Sequence, residues 1–210
     1  MTKASSLAEE LRAWIKDERV LGAITSVPRD RFVPVGELSR AYENVALPIG
    51  CGQTISQPLV VARMLELLEL HEDDRVLDVG TGSGYHAALL AQLAGEVWTI
   101  ERHAELSAEA ERAIRGLGTR NVRFALGDGS AGLPERAPFD AINVAAATGA
   151  RVPAALQEQL APGGRLVAPV GGAHARLDGQ RLTLIRRTGA DLEATMLEPV
   201  RFVPLIEGDR

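Results

Sequence analysis

Cysteine is nearly absent from this chain: Cys51 stands alone among 210 residues. No internal disulfide can form, and such usage suits a reducing cytoplasm. No run approaches the ~20 apolar residues of a membrane span. Lys3, Glu9, Glu10 and Arg12 are scattered through the N-terminal stretch, which therefore lacks the apolar core of a signal peptide. Basic residues are outnumbered, 23 Lys and Arg against 28 Asp and Glu, for a formal charge of −5. That balance argues against a nucleic-acid backbone as the partner. The four histidines, His71, His86, His103 and His174, show no metal-ligand spacing, and one cysteine cannot complete a zinc set. Internal repeats and low-complexity tracts are missing too. The expectation is a soluble, cytoplasmic, metal-free chain with one core and one domain over 1–210.

The most informative stretch that is present runs Arg75-Val-Leu-Asp-Val-Gly-Thr-Gly-Ser-Gly-Tyr-His86. An apolar strand pattern ends in Gly80, Gly82 and Gly84, and Ala87-Ala-Leu-Leu-Ala-Gln-Leu93 then begins a helix. A strand, glycine turn and helix form a nucleotide-binding corner, because glycine admits positive φ and lets backbone approach the ligand. The third glycine falls one residue earlier than in the dinucleotide G-x-G-x-x-G pattern, with Tyr85 in its place. Asp78 precedes the turn, where a positively charged ligand suits it better than a pyrophosphate. Glu101 follows by ~20 residues, at the end of the next strand, where an acid can chelate ribose hydroxyls. This arrangement reads as a site for S-adenosylmethionine, with S-adenosylhomocysteine as product. Gly80, Thr81, Gly82, Ser83, Gly84, Tyr85 and Arg102 join Asp78 and Glu101 as candidate cofactor contacts. Asp128 and Gly129, in Gly127-Asp-Gly129 after the strand 121–126, are candidates at the adenine, although an Asp-Gly pair also makes an ordinary turn. Asp78 could bond only to loop amides, and Glu101 could be a solvated strand end.

Helical spacing over 5–26 (Leu7, Leu11, Trp14, Ile15, Val20, Leu21, Ile24) predicts one or two amphipathic helices. Ser26 to Pro34, with two prolines, should be extended or turned. A loop over 47–58 leads to a helix from Val60 to Leu70. Strands are expected at 75–80, 96–101, 121–126, 139–145, 164–169 and 181–187, with a last one reaching about 204, and helices at 84–93, 103–116 and 153–160. Short apolar strands joined by helices imply a mostly parallel sheet covered on both faces. The last two strands lack a helix between them, and Asp178-Gly179 can turn the chain, so the sheet should end in antiparallel pairing. The fold class is α/β, a Rossmann-like methyltransferase sheet with an N-terminal helical segment (1–70) ahead of a cofactor-binding part (71–210). Ligands bind at the carboxyl ends of such strands, so the glycine turn, Glu101, Asp128 and Ala145 to Ala147 should converge on one rim.

Several stretches together resemble the protein-L-isoaspartate O-methyltransferase family: Val27-Pro-Arg-Asp-Arg-Phe-Val33, Ala46-Leu-Pro-Ile-Gly50, Gly52-Gln-Thr-Ile-Ser-Gln-Pro58, Gly80-Thr-Gly-Ser-Gly-Tyr85, Gly127-Asp-Gly129, Pro138-Phe-Asp-Ala-Ile142, Gly163-Gly-Arg-Leu-Val167, Pro169-Val-Gly-Gly172 and Phe202-Val-Pro-Leu205. The glycine turn is common to many methyltransferases, whereas Gly-Gln-Thr-Ile-Ser-Gln-Pro is specific. The resemblance implies methylation of the free α-carboxylate of L-isoaspartyl residues in damaged proteins. The ester then closes to a succinimide whose hydrolysis returns some normal aspartate. It also implies that Ser56 is the active-site residue and Leu47, Pro48, Ile49 and Gly50 grip substrate, with Thr54, Ile55, Ala145 and Val203 nearby. A carboxylate with pKa ~3.5 is already ionised at pH 7, so orientation rather than proton removal is needed.

Each reading has a plainer rival. Ser56 could cap the helix behind it, Thr54 and Ile55 could be loop packing, and Leu47 to Gly50 could be a turn. Gln180 could approach the cofactor or be a solvated loop residue. His86 is expected to cap or lie at the surface, and Cys51 to be a small buried thiol rather than a nucleophile. Two positions depart from the family pattern. Ala145 stands where a threonine is expected, for which Thr148 could compensate, and Ser130 stands where a bulky aromatic is common. Rival functions are methylation of a normal aspartate in a dedicated peptide, a silent cofactor- or partner-binding module, and a nicotinamide oxidoreductase. The expected partners are damaged proteins, and the expected state is a monomer.

Overall fold

The computed structural model describes residues 2–171 and 179–208. Two helices open the chain, α1 (Lys3–Leu11) and α2 (Glu18–Ser26). Each starts where a side chain accepts from a free backbone N–H: Thr2 from Ser5 and Asp17 from Arg19. The proline-rich segment after them is turned, one of the two forms expected. It forms two 3-10 turns, Arg29–Phe32 and Val35–Arg40, each with a proline in extended backbone at its N-cap.

Short strands β1 (Leu47–Pro48) and β2 (Thr54–Ile55) then pair antiparallel, so the loop 49–53 is a closed hairpin tip. Helix α3 (Pro58–Leu68) follows, with Gln57 at its N-cap and Pro58 at its first turn. It stops at Glu69, whose φ of 45° is left-handed. Arg165 fastens that end to the sheet by donating to the Leu68 and Glu69 carbonyls and pairing with Asp74 at 2.8 Å.

The main sheet contains β3 (Arg75–Val79), β4 (Glu96–Glu101), β5 (Val122–Leu126), β6 (Phe139–Val144), β7 (Leu160–Val170), β8 (Gln180–Thr188) and β9 (Asp191–Val200), in the order β5-β4-β3-β6-β7-β8-β9. The first five run parallel; β7-β8 and β8-β9 are antiparallel, as expected. Helices α4 (Tyr85–Leu90), α5 (Ala104–Gly116) and α6 (Ala154–Glu158) connect the parallel strands. One face buries Leu65, Leu68, Val76 and Val97 against the N-terminal helices, and the other buries Leu77, Ile100, Ile142 and Leu156.

Boundaries differ where tertiary pairing overrides local pattern. Strand β7 begins at Leu160 rather than 164, because Leu160 already pairs with Phe139 ahead of a bulge. Strand β9 ends at Val200, and residues 201–205 leave the sheet to cross its carboxyl edge, where Leu205 N–H donates to Ala147 and Ala147 N–H to Val203. Gly172, His174 and Asp178 lie outside the described residues. Strand order reverses between β3 and β6, each of which borders a different half of the sheet. A crevice must open there, above the carboxyl ends of β3, β4 and β6.

Gly84 sits at φ 90°, and a Cβ there would lie 2.9 Å from the Ala110 Cβ on α5. Gly22, inside α2, has nothing within 4 Å. Gly84→Ala is therefore expected to lower unfolding free energy by about 2–4 kcal/mol. Gly22→Ala should raise it by about 0.5–1 kcal/mol. Urea titrations of the two variants check both signs.

Candidate active site

The glycine turn is sewn to the end of β4. Gly80 and Thr81 N–H donate to the Ile100 carbonyl, and Gly82 N–H donates to the Glu101 carboxylate at 2.8 Å. The other Glu101 oxygen accepts from Arg102 and His103 N–H at 2.9 and 3.0 Å, at the start of α5. Glu101 is thus a buried, three-fold bonded strand end, not a solvated one. Under the turn, Thr81 and Thr99 hydroxyls share a bond of 2.6 Å, Thr99 donates to Asp78 at 2.9 Å, and Asn143 donates to its other oxygen at 2.7 Å. Asp78 is fully buried, so its carboxylate braces the turn from beneath instead of facing the ligand space. Burial lifts its pKa to about 7, against the pull of Asn143 and Thr99.

A cleft of about 590 Å³ opens above this turn at the strand-order reversal. Gly80, Gly82, Glu101, Arg102, Gly129, Thr54, Ala145 and Val203 line it, together with Gln53, Val79, Ile100, His103, Ala146, Pro204, Leu205 and Ile206. The expected convergence on one rim is therefore seen. Arg102 reaches across to the Ile206 carbonyl at 2.9 Å. Asp128 stands beside the cleft, with Oδ1 taking Ser130 N–H and hydroxyl and Oδ2 taking Gly208 N–H at 2.7 Å. Ser130 thus anchors Asp128. Gly129 is obligatory, since a Cβ would come within 2.6 Å of Val79. Bare glycine backbone on one side and an acid floor on the other fit a nucleoside carrying a positive centre.

A smaller cavity adjoins it, lined by Thr54, Ile55, Ser56, Gly80, Thr81, Gly82, Ser83, Tyr85, His86 and Ala145. An open groove of about 900 Å³ reaches Thr54 and Ser56 from outside, between Ala46, Gln57 and Val60 on one side and Pro199 to Phe202 on the other. Thr54 borders all three spaces, and Ser56 borders the inner cavity and the groove. Gln57 holds the N-cap position and no side chain caps α3, so the capping alternative for Ser56 does not hold. Leu47 and Pro48 back this segment through the β1–β2 pair, while a Cβ on Gly82 would meet Ile49 at 3.6 Å and one on Gly50 would meet Leu106 at 3.4 Å. These four residues brace the site and line none of the three spaces.

Other expectations are corrected. Cys51 is exposed, at a left-handed φ of 57° on the hairpin tip. Desolvation and the nearby Glu105 raise its thiol, which disfavours thiolate. His86 is buried, and its Nε2 has no partner; burial, then Arg29, lowers its pKa to about 4. Tyr85 is buried with its ring under Arg29 and against Phe32. Thr148 cannot replace the hydroxyl missing at Ala145: it is buried and spent on the Pro169 carbonyl. Gln180 is neither solvated nor at the cleft; it clamps both backbone groups of Phe202 and so steers Val203 over the turn. Gln53, Pro204 and Leu205 also line the cleft, and each lies in a family-like motif, Gly52–Pro58 or Phe202–Leu205.

Asp78 is a raised carboxyl, so its contribution to stability is full below about pH 4 and lost as pH rises through about 7. His86, a lowered base, slopes the opposite way over that range. The comparison is therefore between variants: Asp78→Asn should gain roughly 1–3 kcal/mol on wild type between pH 4.5 and pH 8. Equal pH slopes in denaturation series of the two proteins would contradict this.

Comparisons with known proteins identify the family and the fold. Residues 2–210 match the family model described as Protein-L-isoaspartate(D-aspartate) O-methyltransferase. A protein-L-isoaspartate O-methyltransferase of Aeromonas salmonicida is 53% identical over 195 residues, 93% of this chain and 92% of that one. One from Roseiflexus castenholzii is also 53% identical, over 94% of this chain and 88% of its own. A solved protein-L-isoaspartate O-methyltransferase superposes with a TM-score of 0.84 at 30% identity, covering 97% of this chain and 65% of that longer one. The match over nearly the whole chain and the half-identical relatives show that the chain belongs to the protein-L-isoaspartate(D-aspartate) O-methyltransferase family.

Proposed function

We propose that this enzyme transfers a methyl group from S-adenosylmethionine to the α-carboxylate of L-isoaspartyl residues in damaged proteins, which starts their repair through a succinimide. The observation that carries this reading is the position of Ser56, on a wall with the inner cavity that adjoins the cleft behind it and an open groove in front. An extended peptide in the groove would bring a side branch to the serine without entering the cleft. The cofactor, when bound, supplies an electrophilic methyl on a sulfonium centre.

The chain's own residues then have four tasks. Gly80 and Gly82 give backbone room, while Glu101 and Asp128 offer carboxylates to ribose and adenine. Ser56 donates its hydroxyl to one carboxylate oxygen and leaves the other to react, which is orientation without proton removal. Thr54 and Ile55 hold the serine's backbone in the β1–β2 pair. Val203, Pro204 and Leu205 roof the cleft and limit water. Residues 1–70 and 71–210 act as one domain, since the Ser56 segment comes from the first and the cleft from the second. The acidic balance supports action on proteins rather than nucleic acids, and the lone Cys51 suits a reducing cytoplasm.

The test is transfer of labelled methyl to one peptide carrying L-isoaspartate, L-aspartate or D-aspartate at a single position. Labelling of the isoaspartyl form, reduced at least about 100-fold by Ser56→Ala, is expected. Equal labelling of the L-aspartyl form would favour the tailoring alternative. Ala145→Thr, which adds a hydroxyl at the wall of both cavities, should lower the peptide KM several-fold with little change in kcat.

A further inference from the structure

Arg29 is fully buried, yet no Asp or Glu pairs with it among the described residues. Its Nη2 donates to the Ser56 carbonyl at 2.8 Å and to the Val45 carbonyl at 3.4 Å. The guanidinium carbon lies 4.9 Å from the centroid of the Tyr85 ring. Nε and Nη1 have no partner, nor have the Tyr85 hydroxyl and His86 Nε2, and both of those side chains line the inner cavity with Ser56. Burial lowers the guanidinium to about 10, so it stays a cation at neutral pH.

An ionised group held in the interior without a counter-ion is costly. Arg165 shows the usual solution in this same fold, with Asp74 at 2.8 Å and three carbonyls around it. Arg29 has an aromatic face and carbonyls only, and these solvate the charge without neutralising it. The cation is directly bonded to the backbone of Ser56, which with Thr54 borders both the groove and the inner cavity. Every fixed charge lining the cleft is Glu101 or Arg102, and the Arg102 guanidinium is committed to Ile206.

We infer that Arg29 is the resident counter-charge for a carboxylate that binds at the Thr54–Ser56 wall, so that the anion missing from the protein arrives with the ligand. The inference rests on the proposed reaction, which brings two carboxylates toward this wall: the isoaspartyl α-carboxylate and the amino-acid carboxylate of the cofactor. Arg29 acts through the field it sets up and through the Ser56 peptide it holds, and is a positioning and selectivity residue. It prefers an anion over an uncharged group of equal shape.

The test uses two ligand pairs, each an acid and its carboxamide. One pair is the isoaspartyl peptide and the same peptide with its isoaspartyl α-carboxyl amidated; the other is S-adenosylhomocysteine and its carboxamide. Wild-type protein should bind the acid at least about tenfold tighter than the amide in at least one pair. Arg29→Met should weaken that acid about 10- to 100-fold and leave the amide within about threefold, with Arg29→Lys recovering most of the loss. The pair that responds identifies which carboxylate the charge serves. Should Arg29→Met not fold, Arg29→Gln is read in the same way, and the wild-type acid-to-amide ratio stands as a test by itself. Equal binding of acid and amide by the wild type overturns the inference, as does equal weakening of both by the variant. Wild-type methyl transfer to the isoaspartyl peptide separates the two readings: its absence removes the proposed reaction, whereas its presence with unchanged selectivity in Arg29→Met removes only this inference.

Discussion

The site depends first on one carboxylate, that of Glu101. It ends β4, and it accepts backbone N–H groups from the glycine turn and from the start of α5 at once. Without it, three amide groups at the sheet's carboxyl edge would lose their acceptor, and two of them lie at a helix start with no side-chain cap. The same strand end holds Gly80 and Thr81 through the Ile100 carbonyl. Strand β3, helix α4 and helix α5 therefore all meet on the last two residues of β4. The crevice created by the reversal of strand order thus has a defined floor.

Buried polar groups in this molecule divide by how fully they are satisfied. Arg165 and Asp74 satisfy each other and fasten α3, which carries the Ser56 segment at its entrance. Asp78 is satisfied by neutral donors only, and it trades a raised pKa for a rigid turn. Arg29 and His86 keep unpartnered nitrogens beside the inner cavity. Trp98 Nε1 and Arg187 Nε are unpartnered too, on residues that line none of these spaces, while Glu101 and Asp128 at the cleft are multiply bonded. An open bond therefore points to a ligand only where it lies beside a cavity, as at Tyr85 and His86.

The sheet and the glycine turn were legible because their signals are local. Short apolar runs ending in Gly80 or Glu101 mark strands and a turn at once, and strand polarity follows from whether a helix intervenes. The Ser56 segment was legible only through its resemblance to a family; spacing alone favoured a helix cap that Gln57 occupies instead. What could not be read was set by packing between distant segments. Nothing near Cys51 says that its hairpin tip projects into solvent, and nothing near His86 says that it is buried within reach of the Arg29 charge. The enclosure of Asp78 is illegible for the same reason. An acid before a glycine turn looks like a ligand contact until Thr99 and Asn143, on neighbouring strands, are seen to enclose it. Thr148 is a further case, since its hydroxyl is near Ala145 in sequence and turned to Pro169 in space.

The central claim is that the Glu101-braced cleft is the nucleoside site and that the serine wall is distinct from it. The most direct measurement is calorimetric binding of S-adenosylhomocysteine to wild type, Glu101→Gln and Ser56→Ala, each checked for an intact fold by its unfolding transition. The account predicts that Glu101→Gln weakens binding by at least about 30-fold while Ser56→Ala stays within about threefold of wild type. Binding to Glu101→Gln that matches wild type would contradict it.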